Sequence, residues 1–224
     1  MRLQSLFVAR LLTAFSLTLS ACVSGPALPD WQMNAKGAMD RSIAAYLSGN
    51  DRVAEREFAK ARSELAGTGQ ATLVARAELL RCASRVASLV LDDCPGFAPL
   101  MQDAAAAEQA YARYLAGQVQ PQDIALLPES QGSVVASSAE ALTATVAAIK
   151  DPFSRLVAAG VLLRTGSAHP AVLALAVDTA SSQGWRRPLL AWLGVQAMRA
   201  EQSGDMADTQ RLQRRMQLIL NNSL

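Results

Sequence analysis

The chain has 224 residues, with 21 Lys and Arg against 19 Asp and Glu and a single His. That length suffices for one compact domain or one short helical array. The near balance of charge excludes the strong basic field that a nucleic-acid or anionic-surface partner requires.

The first twenty-odd residues read as a targeting segment. Met1 to Arg10 carry Arg2 and Arg10 and no acid, and Leu11 to Leu19 form an apolar, hydroxylated run. That run is too short for the roughly 30 Å hydrocarbon core of a bilayer. Small residues then stand where a signal peptidase cuts, which is the grammar of a secretory signal. Leu19-Ser20-Ala21-Cys22 resembles the lipobox of bacterial lipoproteins. The resemblance implies cleavage before Cys22 and acylation of that cysteine, with three acyl chains giving durable attachment. Val23 and Ser24 follow, with no Asp after the cysteine. By the sorting rule of such lipoproteins this points to the outer membrane, lipid-anchored and facing the periplasm. Arg2 and Arg10 are the only charges before Cys22, so the mature chain has 19 bases and 19 acids.

After the anchor, "VSGPALPD" reads as a short Gly/Pro tether, reaching about 3 Å per residue where extended. The expected organisation is a signal peptide over residues 1–21, lipidated Cys22 and tether over 22–32, and a helical repeat-like domain over 33–224. Strand signals are absent from the rest, and Ala, Leu, Arg, Gln and Glu are abundant.

A first helix is predicted from about Met33 to Leu47, stopped by Gly49. Asn50 or Asp51 starts a second, with Ala54, Phe58, Ala61 and Leu65 on one stripe, broken by Gly67-Thr68-Gly69. A third begins near Gln70 and presents Leu73, Ala77, Leu80, Ser84, Ala87 and Leu91. Pro99 is placed at the opening of a fourth, running to about Ala116. "PQDIALLPESQGS" reads as a helical turn followed by a surface loop. Ser137 with Glu140 fits a capping box for a helix to about Ile149. Pro152, Pro170 and Pro188 each fit a first helical position, with Gly166, Gly184 and Gly204 as stops. Asp205 caps a last helix whose stripe is Leu212, Met216, Ile219 and Leu220.

With Cys22 acylated, Cys82 and Cys94 remain as an even pair in an oxidising compartment. They are expected to form a disulfide, the alternative being two buried thiols. A bridge needs Cα atoms within about 4.4–6.8 Å. A helix continuing to Leu91 would carry its end roughly 13 Å past Cys82 at 1.5 Å per residue. An end near Ser88 would ease closure.

Helices of this length joined by short loops pack antiparallel to their neighbours. The expected fold is therefore all-α, with antiparallel helical hairpins in a short α-solenoid or an irregular bundle. Gly49, Ala54, Phe58 and Ala61 resemble turn and second-helix positions of the tetratricopeptide repeat, and Gly194 in "WLGVQAMRAEQSGD" resembles its first-helix half. The resemblance implies a concave protein-binding surface, without a strict 34-residue period across the chain.

No catalytic constellation stands out, and no cofactor or metal ligand set is predicted. His169, before Pro170, reads as a cap or loop residue, and one His without a free Cys removes the common zinc and Cys–His arrangements. Glu129-Ser130 is similar to the dipeptide that carries the catalytic Glu of periplasmic lytic transglycosylases. The continuation "QGSVVASS" departs from that family's pattern, and Glu129 reads as a solvated loop residue. Asp92-Asp93 reads as a polar turn. Arg186 and Arg187 beside Trp185 read as surface charges, or as an anion site at a helix start. Tyr111, Tyr114, Leu189, Trp192 and Leu193 read as core.

The expected function is an outer-membrane lipoprotein serving as a scaffold or assembly factor for an envelope protein, with no nucleic-acid partner. The alternatives are a peptidoglycan-cleaving enzyme using Glu129, and a carrier of a small apolar ligand held between helices.

Overall fold

The computed structural model describes residues 29–221. Cys22, the signal segment and most of the tether lie outside the described residues. Among the described residues there are ten α-helices and no strand. They are α1 (Asp30–Leu47), α2 (Asp51–Ala66), α3 (Ala71–Ala87), α4 (Ala106–Leu115), α5 (Glu129–Val135), α6 (Leu142–Ala148), α7 (Pro152–Arg164), α8 (Pro170–Ser182), α9 (Arg186–Gln202) and α10 (Met206–Asn221). Short 3-10 helices lie at Ala98–Leu100 and Pro121–Leu126.

Local chemistry sets most of the long-helix ends. Asn50 Oδ1 accepts from the Val53 N–H at 3.2 Å, Asp151 from Ser154 at 2.7 Å and Asp205 from Asp208 at 2.9 Å. Each satisfies one N–H that a helix start otherwise leaves without a partner. The chain leaves α1 at Gly49 with φ 87° and α7 at Gly166 with φ 72°, a region that a Cβ disfavours.

Several expectations are corrected. α1 begins at Asp30, three residues earlier than predicted, directly after Pro29. α3 stops at Ala87 and does not run to Leu91, because Leu89 adopts φ 60° and turns the chain. Pro99 lies in a 3-10 turn instead of opening an α-helix, and α4 starts only at Ala106. The expected loop after Pro128 is helix α5, which buries Gln131, Gly132 and Val134. The Ser137–Glu140 capping box does not form. Ser137 Oγ instead donates to the Ser133 carbonyl, and α6 begins at Leu142. Pro188 is the third residue of α9, not the first. Leu220 is exposed, so the α10 stripe ends before it.

α3 is the axis of the molecule. It touches α1, α2, α4 and α7, so Val74, Ala75, Leu79, Cys82, Ala83 and Val86 are buried as well as the predicted Ala77, Ser84 and Ala87. A small cluster of Ala38, Met39, Phe58, Ala61 and Ala77 joins the α1–α2 hairpin to it. The main core continues through α4, α7, α8 and α9 to Leu212 of α10. Helices α7 to α10 follow one another in contact, and α9 also returns to α1.

Arginine–carboxylate pairs bridge successive elements. Arg41 meets Glu57, Arg62 meets Glu78, Arg76 meets Glu108 and Arg113 meets Asp123, at 2.6 to 2.9 Å. Glu78, Glu108 and Asp123 are buried, and a planar guanidinium fork is suited to holding such carboxylates. The Arg113 fork and the Gln120 N–H hold the Asp123 carboxyl at a pKa of about 2.

Candidate functional site

An apolar cleft of about 460 Å³ lies between the end of α4, helices α5 and α6, and the second half of α7. Its floor comes from Tyr114, Val134, Ala158, Val161 and Leu162, all buried. Burial raises the Tyr114 phenol well above its usual pKa, so it stays a neutral donor. Tyr114 Oη donates to Gln131 Oε1, and Gln131 Nε2 donates to the Ser154 carbonyl at 3.0 Å. This pair of bonds fixes the floor of α4 to α5 and to the first turn of α7.

Gly117 turns the chain out of α4 with φ 71°, and a Cβ there would lie 2.9 Å from Thr165 Cγ2. The loop ends after α4 and α7 therefore meet closely at one end of the cleft, and Val119 comes back over it. On the opposite side, Ser137 Oγ bonds Thr145 Oγ1 at 2.8 Å, tying the 136–141 segment to α6. Arg155 holds the end of α6 by donating to the Ile149 carbonyl and to Thr179 Oγ1. The mouth carries Ser137, Ala139, Thr165, Ser167 and His169. Among the lining residues none is Asp, Glu, Lys or Arg.

The residues singled out from the sequence are scattered and do not form one site. Cys22 lies outside the described residues. Cys82 and Cys94 form a disulfide with Cα atoms 5.4 Å apart, closed because α3 ends early and Cys94 takes φ 46°. Asp92 and Asp93 are not a free polar turn: Asp92 pairs with Arg85, and Asp93 pairs with Arg164 at 3.4 Å. Arg186 and Arg187 are half-buried charges that reach the α1–α2 turn. Arg186 Nε donates to the Ser48 carbonyl at 3.1 Å, and Arg187 Nε to the Tyr46 carbonyl at 2.7 Å. Arg187 also pairs with Asp51 and stacks 4.2 Å from the centre of the Tyr46 ring. They clasp the start of α9 to the α1–α2 turn.

Trp192 is fully buried and donates its Nε1–H to the Ala87 carbonyl at 3.1 Å, closing the end of α3. Tyr111 stacks on Tyr114 with ring centres 5.8 Å apart. Leu189 and Leu193 are core. Glu129 is exposed on the first turn of α5 and does not line the cleft that Val134 and Val135 of the same helix do line. His169 caps no N–H with its side chain and stands at the cleft mouth.

The cleft walls were not recognisable as a site, since Val, Ala and Leu at helical spacing read as core. One signal was present. "LVAAGVLL" in α7 is apolar on all sides, and residues 156–162 are all buried. A helix of that kind needs apolar partners on every face, and here one face looks into the cleft.

Comparisons of the chain with protein-family models, with curated proteins and with solved structures find no match. No described helix is long and apolar enough to cross a membrane.

Proposed function

We propose that this chain is a lipoprotein anchored through Cys22 to the outer membrane, and that its helical body is a periplasm-facing module that binds an apolar ligand. The cleft carries this reading. Its 460 Å³ falls within the range of about 300–1,000 Å³ typical of small-molecule sites, and its walls are apolar with polar groups at the mouth, as such sites are. Two measurements test it. Cys22→Ser should abolish fatty-acid labelling and release the protein from membranes, and retained labelling would refute the anchor. In the full chain carrying Cys22→Ser, the neutral probe N-phenyl-1-naphthylamine should bind saturably with a rise in fluorescence. Adding Ala139→Trp, which places a ring over the cleft from an exposed position, should remove that signal, and an unchanged titration would refute the site.

A second reading, a scaffold or assembly factor for an envelope protein, is favoured by α10. Leu218 and Leu220 are 66% and 47% exposed on this last helix, which packs on α9. Crosslinking from intact cells should then capture one partner with the native chain and lose it with Leu218→Glu and Leu220→Glu.

A further inference from the structure

We propose that the cleft takes one long-chain carboxylic acid, with the hydrocarbon on the floor and the carboxyl at His169. The inference rests on the reading of the cleft as a ligand site and assigns the class of ligand.

The cleft is larger than any single side chain a partner could insert. An apolar cavity of about 150 Å³ holds one benzene ring, so 460 Å³ accommodates about eighteen non-hydrogen atoms. A Trp side chain supplies roughly ten, the most any residue can insert. The volume matches a single extended acyl chain and leaves no room for the second chain of a diacyl lipid.

Polarity decides the orientation. The floor is apolar, and its phenol hydroxyl is committed to Gln131. Two mouth hydroxyls are committed as well, Ser137 to the Ser133 carbonyl at 2.8 Å and Thr165 to the Val161 carbonyl at 3.1 Å. The His169 imidazole has no hydrogen-bond partner among the described residues. The backbone that carries it is held in place. Arg199 donates twice to the adjacent Ala168 carbonyl, at 3.2 and 3.3 Å, and the Ser167 N–H donates to the Leu162 carbonyl at 2.8 Å. A chain entering tail first thus meets the apolar floor, and its head meets the His169 imidazole and the Ser167 hydroxyl, which only accepts, from Thr165 at 3.4 Å.

The same mouth selects the head group. A phosphate is held by Arg, Lys or several convergent N–H groups, and no Arg or Lys lines the cleft. A carboxylate needs one good donor and finds no fixed acid among the lining residues to repel it. The hydrocarbon supplies most of the affinity, since each buried methylene contributes about 0.8 kcal/mol.

The test is a fluorescence titration of the full chain carrying Cys22→Ser with cis-parinaric acid, a long polyene fatty acid, beside N-phenyl-1-naphthylamine. The acid should bind one per chain. Ala139→Trp should weaken it at least tenfold, and Val119→Trp, from another wall, should do the same with an unchanged circular dichroism spectrum. His169→Ala should weaken the acid about tenfold, the scale of one hydrogen bond to a charged group, and leave the neutral probe unaffected. Binding of the neutral probe without the acid, or equal acid affinity in His169→Ala, overturns the carboxylic-acid assignment while the cleft reading stands. Failure of both probes, or indifference of both to Ala139→Trp and Val119→Trp, overturns the two together.

Discussion

Replacing Gly160 by Ala should destabilise the protein, although Ala is the better helix former. Gly160 sits within α7 where that helix crosses α3. A Cβ there would lie 2.5 Å from the Val86 carbonyl oxygen and 2.9 Å from Val86 Cγ1. The carbonyl cannot swing aside freely, because it accepts from the Leu89 N–H at 2.9 Å in the turn that ends α3. Restoring an ordinary contact of 3.4 Å requires the helices to part by about 0.9 Å. Overpacking of that kind costs about 3 kcal/mol at its upper range. The gain in helix propensity returns about 1 kcal/mol. The net is a loss of about 2 kcal/mol, or about 4–8 °C in melting temperature for a domain of this size. Gly194 supplies the control, since it lies in α9 and a Cβ there meets nothing within 4 Å. Gly194→Ala should raise the melting temperature by about 2 °C through propensity alone. Both are read by thermal and urea unfolding followed by circular dichroism. A Gly160→Ala protein melting at or above the wild type would refute the close approach of α3 and α7.

Trp192→Phe keeps most of the buried area but leaves the Ala87 carbonyl without its donor, so it should cost about 1–3 kcal/mol in urea unfolding. Non-reducing mass spectrometry should find Cys82 joined to Cys94; Cys82→Ser should lower stability by about 3 kcal/mol, since the bridge closes a 12-residue separation in the unfolded chain. Asp123, at about 2 in the folded protein, is depressed below the unfolded value of about 3.9. Its stabilisation is present above that unfolded value and is lost as pH falls from about 4 through 2. Asp123→Asn should therefore melt below the wild type at pH 6, and the two should converge near pH 2; a constant gap across that window would contradict the pairing with Arg113.

Helix ends were readable because their causes are local. Asn50, Asp151 and Asp205 act within three residues, and Gly49 or Gly166 ends a helix by its own backbone freedom. Between Pro99 and Glu140 the end of α4 and the turn at Pro121 are legible, whereas the start of α4, helix α5 and the absence of a Ser137 cap are not, for a related reason. Helices as short as α5 and α6 expose too few turns for an apolar period to declare itself, so Gln131 and Val134 looked like loop. Long-range pairing was illegible in principle. Nothing near Arg187 in sequence announces Tyr46 or Asp51, and Glu78, Glu108 and Asp123 look like solvated acids until their arginines arrive from other helices. The two glycines make the same point. Gly194 stands at a spacing similar to a repeat motif and has open space beside it, whereas the unmarked Gly160 lies against the backbone of α3.

The clasp between Arg187 and the α1–α2 turn spans 141 residues to Tyr46 and 136 to Asp51. During synthesis the hairpin emerges first, yet its final lock is made only after α9 has followed. Contacts of that separation form late and slow the search for the native state. The N-terminal hairpin is thus the earliest made and among the last secured, and a chain stalled before Arg186 would present that hairpin with its turn unguarded.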